Sequence, residues 1–396
     1  MIHRGVASFG LDGGHCPPWL FERMVKLGRE MVEILIAEYG PDEFVKRIAD
    51  PAWFQSLGTV LAFDWNASGL TTILTAALKE AIRGQEQDLG IFICGGKGKT
   101  SRKTPDEIRT WGERLSLPQP HAENLVYNSK MSAKVDSALV QDGFALYHHA
   151  FFFSVRRNAA TGRRELGSWA VVQQGMNTER QSARRYHWFS EDVRDLVSEP
   201  HAAISSPIVM KTVLDLTAKR SERTRTISTE LARAGYATLM KDIEILRRHS
   251  SRLSQALSVR NGDGQQLTLL NLESREFKYH PAVIEDFGRS KYLEKVLRTV
   301  AEEEPETYEE LVAMRGVGAK TVRALALVGE VIYGAEPSYE DPARYSFAHG
   351  GKDGTPYFVD RTTYDETIRI LGAAVRKTRL APKEKEKALG RLGVLY

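Results

Sequence analysis

Apolar positions recur along this chain at two spacings, one of three to four residues and one of two. The switches between them set the expected order of elements. Between Trp19 and Tyr39, the residues Met24, Leu27, Met31, Ile34 and Leu35 form a helical stripe. It opens after Pro17-Pro18 and stops at Gly40-Pro41. Pro51 opens another helical stretch, and Thr71 to Ile82 is helical again. Ile91-Phe92-Ile93-Cys94 reads as a short buried strand, and Thr104-Pro105-Asp106-Glu107 as the capped start of a helix. From about Lys130 to Trp188 the pattern changes to short β runs: Ala138-Leu139-Val140, Ala145-Leu146-Tyr147, Ala150 to Val155 and Trp169 to Gln173. Phe153–Val155 and Ser168–Val172 flank Thr161-Gly162 as the two arms of a hairpin. Asp195 to His201 is a polar break, and Pro207 to Arg260 is helical and basic, with Leu239, Ile243, Leu246, Leu253 and Leu257 at helical steps. Asn261-Gly262-Asp263-Gly264 is a linker signal. Ser290 to Glu303 and Thr362 to Arg379 complete the helices outside the stretch that follows.

That stretch runs from Thr307 to Tyr333. Tyr308, Leu311, Val312 and Met314 give a short amphipathic helix. Val322, Leu325, Ala326, Val328 and Gly329 give the apolar stripe of a second one. Between them stands Gly316-Val317-Gly318-Ala319-Lys320-Thr321. Glycines allow a sharp turn and a close approach. The second helix then begins with free N–H groups beside Lys320 and Thr321, which makes an anion site with no means of reading a base. The plain alternative is a helical pair with a glycine turn and no ligand. The stretch resembles the helix-hairpin-helix of DNA repair and recombination proteins, and that resemblance implies a grip on backbone phosphates by Gly316, Gly318, Lys320 and Thr321.

The elements together predict an α+β chain. A helical N-terminal region with a small mixed β-sheet, the catalytic candidate, covers residues 1–200. A basic helical connector covers 201–262, and an all-α hairpin domain covers 263–396.

Composition narrows the class. The chain has 396 residues, 42% of them hydrophobic, enough for two or three packed domains. A formal charge of only +4 confines any nucleic-acid surface to local patches. Two distant cysteines, Cys16 and Cys94, give neither zinc nor iron–sulfur spacing and suit a reducing cytoplasm. Met1-Ile2-His3-Arg4 does not open a signal peptide, and no apolar run reaches membrane length, so no membrane partner is expected.

Two further groups of residues bear on chemistry. Gly95-Gly96-Lys97-Gly98-Lys99-Thr100-Ser101-Arg102 lies between a strand and a helix, the layout of a phosphate cradle. Its end resembles a Walker A motif, but Ile93 stands where that motif needs its first glycine. Lys97, Lys99 and Arg102 are expected to touch DNA backbone; the plain alternative is a solvated basic loop. In the β-rich region, Asp136, Asp142, His148, His149 and Gln173 are the candidate catalytic set, with Asp136, Asp142 and His149 as ligands of a divalent ion, Mg²⁺ or Mn²⁺. Arg184 and Arg185 would hold the phosphate. The alternative there is a set of structural histidines and turn-shaping aspartates. The sheet resembles restriction-type nuclease cores without their Asp…Glu-x-Lys signature.

Two wider resemblances complete the reading. Lys320 and Val359-Asp360 resemble the nucleophilic lysine and the catalytic Val-Asp of helix-hairpin-helix DNA glycosylases, which would imply a glycosylase or lyase acting through Lys320 and Asp360. Arg361-Thr362-Thr363 departs from that family's pattern, as does the long segment between the two residues. Asp12-Gly13-Gly14-His15, Gly95–Thr100, Ala145–Ala150, Trp169–Met176 and Phe347–Gly354 make the whole chain similar to a prokaryotic family, archaeal and bacterial, classed as a domain of unknown function. The leading expectation is a DNA-repair nuclease directed by structure or damage, with branched, single-stranded or damaged DNA as partner. A homodimer is compatible with it. The alternatives are the glycosylase/lyase and a non-catalytic DNA-binding module.

Overall fold

The computed structural model describes residues 16–61, 67–158, 162–250, 259–260, 266–267, 290–343 and 361–392. Its centre is a five-stranded antiparallel sheet. The strands are β1 (Ile91–Lys97), β3 (Ala145–Arg157), β4 (Arg164–Asn177), β5 (Ser182–Phe189) and β6 (His201–Ser205), in the order β1-β3-β4-β5-β6. Two short pieces, β2 (Val140–Gln141) and β7 (Leu214–Asp215), pair with each other outside it.

Both faces of the sheet are covered. Alternation along β3 sends Phe152 and Ala150 to one side and Phe151 and Phe153 to the other. The first side packs against α1 (Pro18–Ala49), α2 (Pro51–Val60) and α3 (Ala67–Ala81). Beyond the four-residue α4 (Glu86–Leu89) and β1, the second side packs against α5 (Thr104–Arg114) and α6 (Gln119–Ala138). Behind α6 stand α7 (Glu222–Arg233), α8 (Tyr236–Ser250), α9 (Lys291–Glu303), α10 (Tyr308–Ala313) and α11 (Ala319–Tyr333). The last helices, α12 (Arg361–Lys377) and α13 (Pro382–Leu392), return to the first side and pack on α1 and α2.

The α+β class is as expected, and so is the β3–β4 hairpin. The helical stripe ends at Gly40, whose φ of 82° breaks the axis of α1 before a second segment resumes at Pro41. Three details differ. Ala138 ends a 20-residue helix, not a strand, because the buried face of α6 repeats at helical spacing through Leu125, Met131 and Val135. The polar segment Ser182–Phe189 is a fully buried strand. Packing also does not divide where the sequence suggested: β6 joins the main sheet across residue 200, and α12 belongs to the N-terminal layer. Among the described residues no helix is long and apolar enough to cross a membrane.

The return of α12 generates a test. Leu371 is fully buried against the N-terminal helices. Leu371→Ala should lower the stability of the N-terminal layer by about 2–5 kcal/mol. Urea unfolding followed through tryptophan fluorescence measures this; an unchanged midpoint would show α12 to be energetically separate from that layer.

Candidate functional site

Strand alternation decides which of the expected catalytic residues meet. His148 and His149 are adjacent in β3, as are Gln173 and Gln174 in β4, so each pair splits across the sheet. His148 turns toward α3, where its Nε2 meets Thr75 Oγ1 at 3.3 Å. Gln174 turns the same way and donates to the Ser68 carbonyl. His149 and Gln173 face α6, and that helix brings Asp136 to them.

The result is a continuous buried chain of polar groups. Ser129 Oγ lies 2.9 Å from His149 Nε2, His149 Nδ1 lies 2.8 Å from the Gln173 carbonyl oxygen, and Gln173 Nε2 donates to Asp136 at 2.5 Å. This fixes His149 as the neutral Nδ1–H tautomer, with Ser129 as donor to Nε2. Asp136 also accepts from Trp188 Nε1 at 3.1 Å and from His201 Nε2 at 2.5 Å. Every neighbour of this fully buried carboxylate is therefore a donor.

His201 is the open end of the chain. Its side chain is 8% exposed and lines a cavity of about 290 Å³. Nε2–H is committed to Asp136, which leaves Nδ1 facing away from it, with no hydrogen-bond partner among the described residues. Asp215, Glu199, Lys219 and Glu340 share the cavity wall. Burial raises the Asp215 carboxyl above its ordinary value, against the opposing bonds from Thr217 and the nearby His201. An oriented imidazole beside a buried carboxyl is an acid–base arrangement. His201 closes what the sequence shows only as a polar break; the short apolar run Ala202-Ala203-Ile204 after it was the available signal of a strand.

Asp142 does not join this group. It accepts from Tyr186 Oη at 2.7 Å, Arg184 Nη1 at 2.9 Å and the Phe144 N–H at 3.0 Å. Arg184 is itself fully buried and forms a two-pronged pair with Asp341, at 2.9 and 2.7 Å, over the Phe144 ring. Arg185 lies on the opposite face between Gln55 and the Phe54 ring, where burial lowers its guanidinium to about 9. Neither arginine reaches solvent, which corrects the expectation that they hold a phosphate. Asp136, Asp142 and His149 likewise do not form one ligand set, and among the described residues no group of three or more His, Cys, Asp or Glu is arranged to hold a metal ion.

A second locus is the turn between α10 and α11. Thr307 Oγ1 caps α10 by accepting from the Glu310 N–H, and Glu310 reaches back to the Glu306 N–H. Lys134, on α6, donates to the Met314 carbonyl at 2.5 Å, and its burial lowers the amine to about 8. Gln141 links the Ala319 carbonyl to Arg323. The turn is thus bolted to α6. Gly316 has φ 92° and little room for a Cβ, with Val296 Cγ2 at 3.1 Å. Gly318 differs: φ is −148°, and nothing lies within 4 Å of where its Cβ would sit. No side chain caps the first turn of α11, and Lys320 and Arg315 are exposed. Thr321 is buried, so its hydroxyl is not on this surface.

The remaining candidates fall into place singly. Lys97 ends β1, and Lys99 and Arg102 stand on the short 3-10 turn that follows it; all three are exposed. Gly95 is required there, since a Cβ would lie 2.3 Å from the His149 carbonyl. Asp360 lies outside the described residues, and α12, which follows it, packs on the face of the sheet opposite the α10–α11 turn.

A family model described as "Protein of unknown function (DUF763)" matches residues 5–359. The chain belongs to this family. No curated protein and no solved structure matches it. In this DUF763 chain the buried polar chain, the His201 cavity and the glycine turn all lie within the matched span.

The buried histidines give a pH prediction. Burial holds His148 down to about 3, and holds His149 and His187 below their ordinary 6.5. In the unfolded chain each would take a proton near 6.5. Their contribution is therefore complete above that value and lost as pH falls; for His148 the loss runs down toward 3, at about 1.4 kcal/mol per pH unit. Urea midpoints should fall from about pH 6.5 downward, and His148→Gln should remove one proton from that dependence.

Proposed function

We propose that this protein processes DNA and holds it through the sugar–phosphate backbone, with the Thr307–Tyr333 pair acting as a helix-hairpin-helix. The observation that carries this reading is the solvent face of the turn. Gly318 is extended, with open space at its Cβ position, and α11 starts directly after it without a side-chain cap, beside exposed Lys320. Such a surface favours an anion that can come close to the backbone. Backbone N–H groups read no base, so the grip is independent of sequence. Exposed Lys97, Lys99 and Arg102 supply a second patch of charge.

In this reading the reaction is phosphodiester cleavage with Mg²⁺ or Mn²⁺, and His201 oriented by Asp136 is the base. Helix α11 runs about 22 Å from the turn to the segment that lines the cavity, roughly six base pairs of B-DNA. Glu199, Asp215 and Glu340 make the cavity wall acidic but are not arranged to hold an ion by themselves, so a divalent cation would enter together with the phosphodiester and offset both charges.

The two glycines separate folding from binding. Gly318→Val fits the free protein and should keep its stability, while weakening binding to any DNA sequence roughly tenfold by blocking the phosphate. Gly316→Ala should instead destabilise the fold, because both its φ and Val296 oppose a Cβ. Anisotropy titrations with circular dichroism on both variants decide this; full binding by Gly318→Val removes the clamp.

For the chemistry, flap, bubble and junction DNAs should be incubated with and without Mg²⁺ or Mn²⁺. His201→Gln is expected to slow cutting by at least ~100-fold with binding retained. Equal cutting by that variant would take His201 out of the reaction. A wild-type protein that binds and cuts nothing would be a binding module.

A further inference from the structure

The solvent stripe of α9 carries an aromatic ring. Leu293, Val296, Leu297 and Val300 form the buried face of that helix. Tyr292 stands off it and is 65% exposed, the largest exposure among the big hydrophobic side chains that reach solvent in the described residues. Its position is fixed: Ser290 caps α9 by accepting from the Leu293 N–H at 3.2 Å, so Tyr292 sits in the first turn. Its hydroxyl lies 3.5 Å from the Gly316 carbonyl and would be 3.4 Å from a Gly316 Cβ. The ring therefore lies against the lip of the glycine turn. Lys291 and Lys295 flank it on α9, and Arg315 and Lys320 flank it on the turn, all four exposed.

We infer that Tyr292 is a stacking platform for an unpaired nucleobase whose phosphate is held by the Gly316–Lys320 turn, so that the substrate class is single-stranded or frayed DNA. This rests on the backbone-binding reading above. A base still stacked in a duplex presents only its edges to a groove. Once unpaired it offers a flat face, and an aromatic beside a phosphate clamp takes that face without regard to sequence. The four cations track the backbone on either side of the ring. The ring's place beside Gly316 sets it next to the clamp, so a nucleotide meets both together.

The test compares full-length wild type, Tyr292→Ala, Tyr292→Phe and Gly318→Val on a fluorescent oligo-dT strand and on a blunt duplex of the same length, at one salt concentration. Tyr292→Ala should lose roughly tenfold in affinity for the single strand and change little on the duplex. Tyr292→Phe should restore the single-strand affinity, because it keeps the face and loses only the hydroxyl. Gly318→Val should weaken both substrates. If Tyr292→Ala leaves the single strand unaffected, or weakens both DNAs equally, while Gly318→Val weakens both, the platform is overturned and the clamp stands. If wild type binds neither DNA, the clamp fails and the platform falls with it. Circular dichroism confirms folding, which an exposed side chain is not expected to influence.

Discussion

Both faces of the five-stranded sheet are dry, and the rest of the structure depends on that constraint. An antiparallel sheet commonly leaves one face to water. Here helices cover both, so each polar side chain in the middle of β3, β4 and β5 lies where its hydrogen bonds must come from protein. On one face Asp136 collects Gln173, Trp188 and His201, while Arg184 is shared between Asp142 and Asp341. On the other, Thr75 and Gln55 serve His148 and Arg185. Networks of this kind specify register, because a slip of one residue would carry each polar group to the wrong face.

The same network ties the candidate sites to the scaffold. Asp341 follows the end of α11 and is held by an arginine at the centre of β5, 157 residues earlier. The cavity wall at Ser338–Pro342 is thereby fixed relative to His201. At the other end of α11, Lys134 and Gln141 hold the turn onto α6, the helix that also supplies Asp136. One helix thus serves both loci, and another spans between them. A rigid spacing is what a protein needs if it grips a polymer at one point and acts at another.

Legibility in the sequence followed the range of the physics involved. The glycine turn, the break at Gly40-Pro41 and the β3–β4 hairpin are local, and their residues announce them. The strand Ser182–Phe189 does not, because two arginines and a histidine read as solvated until both faces are known to be covered. The His148-His149 and Gln173-Gln174 pairs look like clusters on paper, and the two-residue period of a strand separates them. Asp136 and its partner His201 are 65 residues apart, and nothing near either residue marks the other. Asp341 and Arg184 are further apart still. Long-range pairing of polar groups has no local signature, which is why the hairpin could be read and the cavity could not.

Helices α12 and α13 have a consequence for how the chain is made. They finish the layer formed by α1 and α2, with Ile370, Leu371, Ala374 and Val375 set against residues from the beginning of the chain. During synthesis that N-terminal layer emerges first and keeps an apolar flank open until α12 and α13 follow it out of the ribosome. Closing it brings together segments more than three hundred residues apart, a slow step for any chain. The newborn chain thus carries a sticky, unfinished side while the intervening residues are made, an interval in which a holding chaperone has something to cover.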